Sequence, residues 1–334
     1  MLHIHNGDSS AGTARESIPG QHLAWREALV CGPAPAGLDS VEWRQMRADH
    51  LAKAYDLRFE DCERDLREQE DELRKFRDHE EVVLWFEHDL FCQINLLYLL
   101  NWFALQDPGQ TKLSLICIDE FTGVADFRGL GQLTTEQLST LLPLRQEITP
   151  GQFALAASAW AAYTAADPQE LEALLTNDTG ALPFLRNALA KHLQRFPSVR
   201  NGLGRIENLG LELIASGQNE FGDLFRGFSK IEPTYGYGDA QLFLELKRLT
   251  TSTRPLLTRR NGDGGPVLAS QSLLRSSFQI TESGKAVLCG EADFVRLNEI
   301  DMWLSGVHLN GKEASWRWDE DQTRLVASMR TREL

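Results

Sequence analysis

Several short stretches of this 334-residue chain carry residues suited to acid–base, metal or phosphate chemistry. Asn6-Gly7-Asp8-Ser9 closes an apolar stretch and opens a helical one. A small-residue loop of that kind exposes backbone N–H groups at the positive end of a helix dipole, which suits a phosphate or carboxylate. It is neither a GxGxxG nor a P-loop, because no Gly-Lys-Ser/Thr follows. Asp8 or Ser9 can equally be a plain helix cap. Arg26-Glu27 offers an anion contact and an acceptor for a ribose hydroxyl, or simply a local ion pair. Glu87-His88-Asp89 directly follows the apolar run Val82-Val83-Leu84-Trp85-Phe86. Histidine shuttles protons near neutral pH, and a neighbouring carboxylate orients its ring. Carboxylates from different strands, such as Asp8 with Asp89 or Asp119, can hold Mg²⁺ against a phosphate. The competing reading makes Asp89 the cap of the next helix and gives His88 a backbone carbonyl. The candidate catalytic residues are therefore Asp8, Glu87, His88 and Asp89, and the candidate binding residues Asn6, Gly7, Ser9, Arg26 and Glu27.

These groups can meet only if the elements before them lie side by side. Strands are expected at Leu2 to Asn6, His22 to Arg26, Val82 to Phe86 and Lys112 to Ile118. Between them, residues 41–80 have helical spacing, with Phe59, Cys62, Leu66, Leu73 and Phe76 on one seam. Glu60–Arg64, Glu63–Arg67, Glu70–Arg74 and Asp71–Lys75 are favourably oriented pairs four residues apart, so this charge run reads as a solvated helix face. Leu90 to Leu105 reads as a buried helix. Strand and helix in alternation argue for a parallel sheet with helices on its faces, and ligands bind such sheets at the carboxyl ends of the strands. Asn6–Ser9, Arg26-Glu27, Glu87–Asp89 and Asp119-Glu120 all fall at those ends.

Helical periodicity continues from Thr134 to Phe196. Helices are then expected at Gly204 to Ser216, Phe221 to Phe228 and Asp239 to Leu249. Pro255 to Thr258, a hairpin loop at Asn261 to Gly265, Leu274 to Thr281 and a short helix at Ser283 to Glu291 follow. A last strand pair is expected at Trp303 to Leu309 and Ser315 to Trp318, turned at Asn310-Gly311. Three helices followed by strands and a loop is the order of a winged-helix module. The expected fold is α/β: a Rossmann-like parallel-sheet domain over residues 1–125, a helical segment over 126–199, and a winged-helix-like domain over 200–334.

Charge bears on partners. Residues 1–199 hold 17 basic and 30 acidic side chains, a net of −13, and residues 200–334 hold 17 and 18. Neither half has the basic excess that displaces counterions from nucleic acid. In the third C-terminal helix only Gln241, Lys247 and Arg248 suit base or phosphate contact, with Arg259 and Arg260 beyond it; Asp239 and Glu245 repel phosphates. Its apolar residues suit a packing or dimerisation module better, and Trp303, Trp316 and Trp318 read as core or interface aromatics. No apolar run approaches the ~20 residues of a membrane span and the first residues lack a signal-peptide pattern, so a cytoplasmic protein is expected. Cys31, Cys62, Cys92, Cys117 and Cys289 are scattered, without a CxxC pair, and read as reduced thiols packed as small hydrophobes.

Gly7-Asp8-Ser9 after a first strand resembles the SGNH-type esterases, but no Asp-x-x-His accompanies it. His3-Ile4-His5-Asn6-Gly7-Asp8-Ser9 and Leu84-Trp85-Phe86-Glu87-His88-Asp89-Leu90-Phe91-Cys92-Gln93 resemble the bacterial DUF1835 family. The part around Leu133 to Leu175, with Trp160, is similar to the DUF3658 segment that accompanies it, and Phe278 to Asp319 is similar to its longer members. The resemblance implies the same domain division and rim residues, and assigns no substrate. The expectation is an enzyme that binds a nucleotide or phosphorylated small molecule at the strand ends and performs hydrolysis or group transfer, with Mg²⁺ as a candidate cofactor. The alternatives are a ligand-sensing regulator whose winged-helix module contacts DNA or protein, and a non-catalytic scaffold.

Overall fold

A computed structural model describes residues 1–260, 273, 275–312 and 314–328. The chain is mixed α/β. Its main sheet has five strands: β1 (Leu2–Asn6), β2 (Gln21–Trp25), β4 (Glu81–Glu87), β5 (Lys112–Ile118) and β6 (Gln146–Glu147), in the order β2-β1-β4-β5-β6. The first four run parallel; β6 is a short antiparallel edge strand absent from the sequence expectation. The two-residue β3 (Gly32–Pro33) lies in another sheet.

The apolar runs explain the layering. A strand buried on both faces needs no polar alternation. In β4, Val82, Leu84 and Phe86 join Leu2 and Ile4 in the larger core, while Val83 and Trp85 join a smaller one on the opposite face. The larger core is covered by α4 (Leu90–Ala104), α6 (Pro150–Thr164) and α8 (Leu185–Leu193). The other face carries α1 (Asp8–Arg15) and α5 (Thr135–Leu141). Residues 41–80 form α2 (Ser40–Tyr55) and α3 (Phe59–Arg74), parted at Asp56, which takes a left-handed conformation (φ 55°) that ends α2. Of the four expected ion pairs, Glu63–Arg67 and Glu70–Arg74 form at 3.4 and 3.1 Å; Arg64 and Lys75 instead pair one residue nearer, with Asp61 and Glu72. After α6 the chain continues through α7 (Gln169–Thr176) into α8.

Beyond residue 200 come α9 (Arg205–Ala215), α10 (Phe221–Ile231) and α11 (Asp239–Thr251), then β7 (Leu257–Arg260) paired antiparallel with β8 (Ser277–Ile280). A single bridge joins Glu220, between α9 and α10, to Ser277 of β8. The hairpin loop expected at Asn261 to Gly265 lies outside the described residues. Helices α12 (Glu282–Leu288) and α13 (Phe294–Asn298) lead into the final strands.

The last strand pair differs from the expectation. Two hairpins form there: β9 (Ile300–Ser305) with β10 (Val307–Gly311), and β11 (Trp316–Asp319) with β12 (Arg324–Ala327). The first turns at Ser305-Gly306 rather than Asn310-Gly311, because Ser305 adopts φ 57° and Asn310 stays paired with Asp301. Strand β9 also pairs in parallel with β3, tying the C-terminal region to the loop after β2. Among the described residues, no helix is long and apolar enough to cross a membrane.

Candidate functional site

The end of β4 and the first turn of α4 form a buried polar cluster. Asp89 caps α4, its Oδ1 accepting the backbone N–H of Cys92 at 2.9 Å. Glu87 accepts twice: Oε1 from the N–H of Leu130 at 2.7 Å and Oε2 from the Cys92 thiol at 2.7 Å. The Asn6 side chain reaches over from β1, with Nδ2 at 2.8 Å from Cys92 Sγ. Its Oδ1 accepts from Asn95 Nδ2 at 2.7 Å, and the same Asn95 amide donates to the backbone carbonyl of Glu27. Asn6, Glu87 and Asp89 thus converge, as parallel strand ends require.

Burial governs the protonation of this cluster. Glu87 and Asp89 are only 7% and 4% exposed. Loss of water pushes the Glu87 carboxyl up to about 7, with the nearby Asp89 carboxyl adding to the rise. Burial raises Asp89 and, strongly, the Cys92 thiol in the same direction. Cys117 adjoins the cluster, its Sγ 3.6 Å from the Glu87 carbonyl oxygen, and burial pushes it up to about 12. All five cysteines are unpaired.

Asp89 opens onto a cavity of about 370 Å³. One wall is the loop Arg128-Gly129-Gly131-Gln132 beyond β5; the other is Phe225, Phe228, Glu232, Gly236 and Tyr237, from α10 and the turn after it. Glu87 lies directly behind the first wall: a Cβ on Gly129 would sit 3.0 Å from its Oε1. Gly236, in a left-handed conformation (φ 64°), closes on Asp89 so tightly that a Cβ there would meet Oδ1 at 1.9 Å. Arg128 is exposed at the rim, and among the described residues its guanidinium has no ion-pair partner.

The other rim residues go elsewhere. Asp8 and Arg26 pair with each other at 2.7 and 2.8 Å, both largely exposed, outside the cavity wall. The Arg26 hydrogen bond holds the Asp8 carboxyl below its usual range. Gly7 caps α1 with φ 91°, and its N–H is bonded to the carbonyls of His5 and Trp25. That N–H is therefore not free for a phosphate, as the sequence reading had it. Ser9 touches the cavity only from behind, 3.5 Å from the carbonyl oxygen of Gly131. Glu27 turns inward and pairs with the buried Arg47, so it is no acceptor for a bound sugar. His88 packs edge-on against Phe184, with ring centroids 6.2 Å apart, and does not line the cavity. Asp119 and Glu120 are exposed and also outside it.

Two participants escaped the sequence reading. Cys92 looked like a packed thiol; its place three residues after Asp89, on the first turn of the same helix, was the available signal. Arg128-Gly129-Leu130-Gly131 sits in a stretch without periodicity, and two glycines beside an arginine after a strand were the only hint. No protein-family model and no curated protein matches this chain.

Proposed function

We propose that this protein is an enzyme that binds a nucleotide or other phosphorylated small molecule in the cavity at the strand ends and performs hydrolysis or group transfer on it. One observation carries the reading: of a buried carboxylate pair, Asp89 lines and Glu87 backs a cavity whose rim holds Arg128, a cation with no ion-pair partner among the described residues. Arg128 would take the phosphate, with the backbone of Gly129 and Gly131 beside it. Asp89 would face the substrate as acid–base or metal-ligand group, with Glu87 behind it. A thermal-shift screen of nucleotides and phosphorylated metabolites tests it. A ligand at about 100 times its dissociation constant raises stability by about 2.7 kcal/mol. The expected hit disappears in Arg128→Ala and survives without turnover in Asp89→Asn. A panel with no hit, or a hit indifferent to Arg128, refutes the assignment.

A second reading concerns residues 205–280. Helices α9, α10 and α11, the Glu220–Ser277 bridge between the first two, and the β7–β8 ribbon follow winged-helix order. We read this region as winged-helix-like and as a packing module rather than a DNA reader. In α11 only the last residue, Thr251, is exposed. Gln241 donates to the Tyr55 hydroxyl of α2 at 2.8 Å, and Arg248 pairs with Glu207 and lies over the Phe294 ring. Of the side chains suited to DNA, Gln241, Arg248 and Arg259 are thus held by contacts within the protein, while Arg260 stays exposed.

A further inference from the structure

Glu87, Asp89 and Cys92 each bring one donor atom to a common point, all within 4.8 Å of one another, and all three residues are buried. Among the described residues, no lysine or arginine pairs with either carboxylate. Ionisable groups in a dry interior must either keep their protons or gather round a cation.

A second observation favours the cation. Asn95 lies one turn beyond Cys92 on α4 and is fully buried. Its carboxamide is joined to the cluster through Asn6, yet its own Oδ1 has no donor. His88 Nδ1, between the two carboxylates in sequence, is also buried without a partner. A buried acceptor normally finds a hydrogen bond. Here the unused Asn95 acceptor lies one side chain away from the cluster, linked to Cys92 through Asn6, whereas His88 stands outside the three-donor group.

We propose that Glu87, Asp89 and Cys92 form a binding site for a borderline-soft divalent metal of the zinc and ferrous-iron class, with its open coordination position toward the cavity. The inference rests on the reading of that cavity as the functional site. The donor set fixes the class. A thiolate is a poor ligand for Mg²⁺, which takes oxygen, whereas mixed thiolate and carboxylate donors suit zinc and iron(II). Three protein ligands and one free position is the pattern of a metal that acts on a substrate. Metal–ligand bonds of about 2.0–2.3 Å in tetrahedral array separate donors by about 3.4–3.6 Å. Glu87 Oε2 and Cys92 Sγ, now 2.7 Å apart, therefore part by about 1 Å when the ion enters. The thiol releases its proton to solvent as the sulfur–metal bond forms.

The test titrates the purified 334-residue chain with Zn²⁺ and Co²⁺. Expected are one equivalent of bound metal per chain, a thiolate-to-cobalt charge-transfer band, and a raised unfolding temperature. Cys92→Ser abolishes the band and weakens cobalt binding tenfold or more, while Cys117→Ser keeps the band. Absence of the band in the unaltered protein overturns the proposal whatever the variants do, as does a band that survives Cys92→Ser. Failure here is distinct from failure of the function. A phosphorylated ligand that still depends on Arg128 in metal-free protein would leave the cavity reading intact and remove only the metal.

Discussion

Glu27 and Arg47 meet in a two-point ion pair inside the protein, Nη2 to Oε1 at 2.8 Å and Nε to Oε2 at 3.1 Å, with Arg47 wholly buried. The guanidinium also donates to the carbonyls of Ala28, Cys31 and Pro33. One side chain thus pins the loop after β2, including the strand that pairs with β9. Removing one partner of a buried pair leaves the other charge unpaired, at a cost of about 3–5 kcal/mol. Arg47→Ala should lose stability in that range by denaturant unfolding. A loss below about 1 kcal/mol would mean that the surviving Glu27 finds water or a proton easily.

Acid should weaken the fold through three histidines. His3 and His5 project from β1 onto the face occupied by Trp85, and the His22 ring stacks on both, with centroids 4.7 and 5.3 Å away. Burial lowers His3 from 6.5 to about 4 and His5 to about 2, and lowers His22 as well. All three take up their protons at lower pH in the folded chain than once unfolded, where they do so near pH 6.5. Between those values the unfolded state binds more protons, so stability rises with pH. The stabilisation is complete above about pH 7 and declines steadily as pH falls from 6.5 toward 4. Glu87, raised to about 7, works in the opposite sense over part of that range, so the histidine share is read from the difference between variants. His5→Gln should flatten the rise of stability with pH, and a pH dependence identical to that of the unaltered protein would refute the account.

The sheet was legible because its strands are apolar runs of strand length. β1 and β5 coincide with the expected limits, and β4 exceeds its apolar run by one residue at each end. The rim was legible only in part. Strand ends converge, but each side chain's direction depends on neighbours the sequence does not bring into view. Glu27 follows Arg47, which lies 20 residues on, and Asp8 follows Arg26. The pairing of β3 with β9 joins Gly32-Pro33 to Leu304-Ser305, and two residues carry no periodicity. The last hairpins escaped because a serine, not a glycine, takes the left-handed position at Ser305.

The Asp8–Arg26 pair and Arg128 separate surface electrostatics from ligand binding. Both Asp8 and Arg26 remain more than half exposed, and such pairs contribute about 0–1 kcal/mol. Asp8→Asn should leave the unfolding temperature nearly unchanged and should also leave any phosphate-ligand shift intact. Arg128→Ala should leave stability equally unchanged yet remove that shift. Loss of ligand in Asp8→Asn would return the first loop to the centre of the site.

Gly236 carries the last prediction, because its neighbour is the Asp89 carboxylate. The residue has φ 64°, and an added Cβ would lie 1.9 Å from Oδ1. Gly109 has nearly the same φ, 59°, with nothing within 4 Å of its Cβ position. Gly109→Ala therefore reports the backbone strain alone, about 1 kcal/mol. Gly236→Ala adds the collision and must move the turn after α10 away from α4. Its destabilisation should exceed that of Gly109→Ala by about 1–3 kcal/mol, within the range of overpacking. The cavity, lined by both Asp89 and Gly236, should open and hold its ligand less tightly. Equal losses in the two variants would mean that the turn yields freely, and that Asp89 is not held by the C-terminal region.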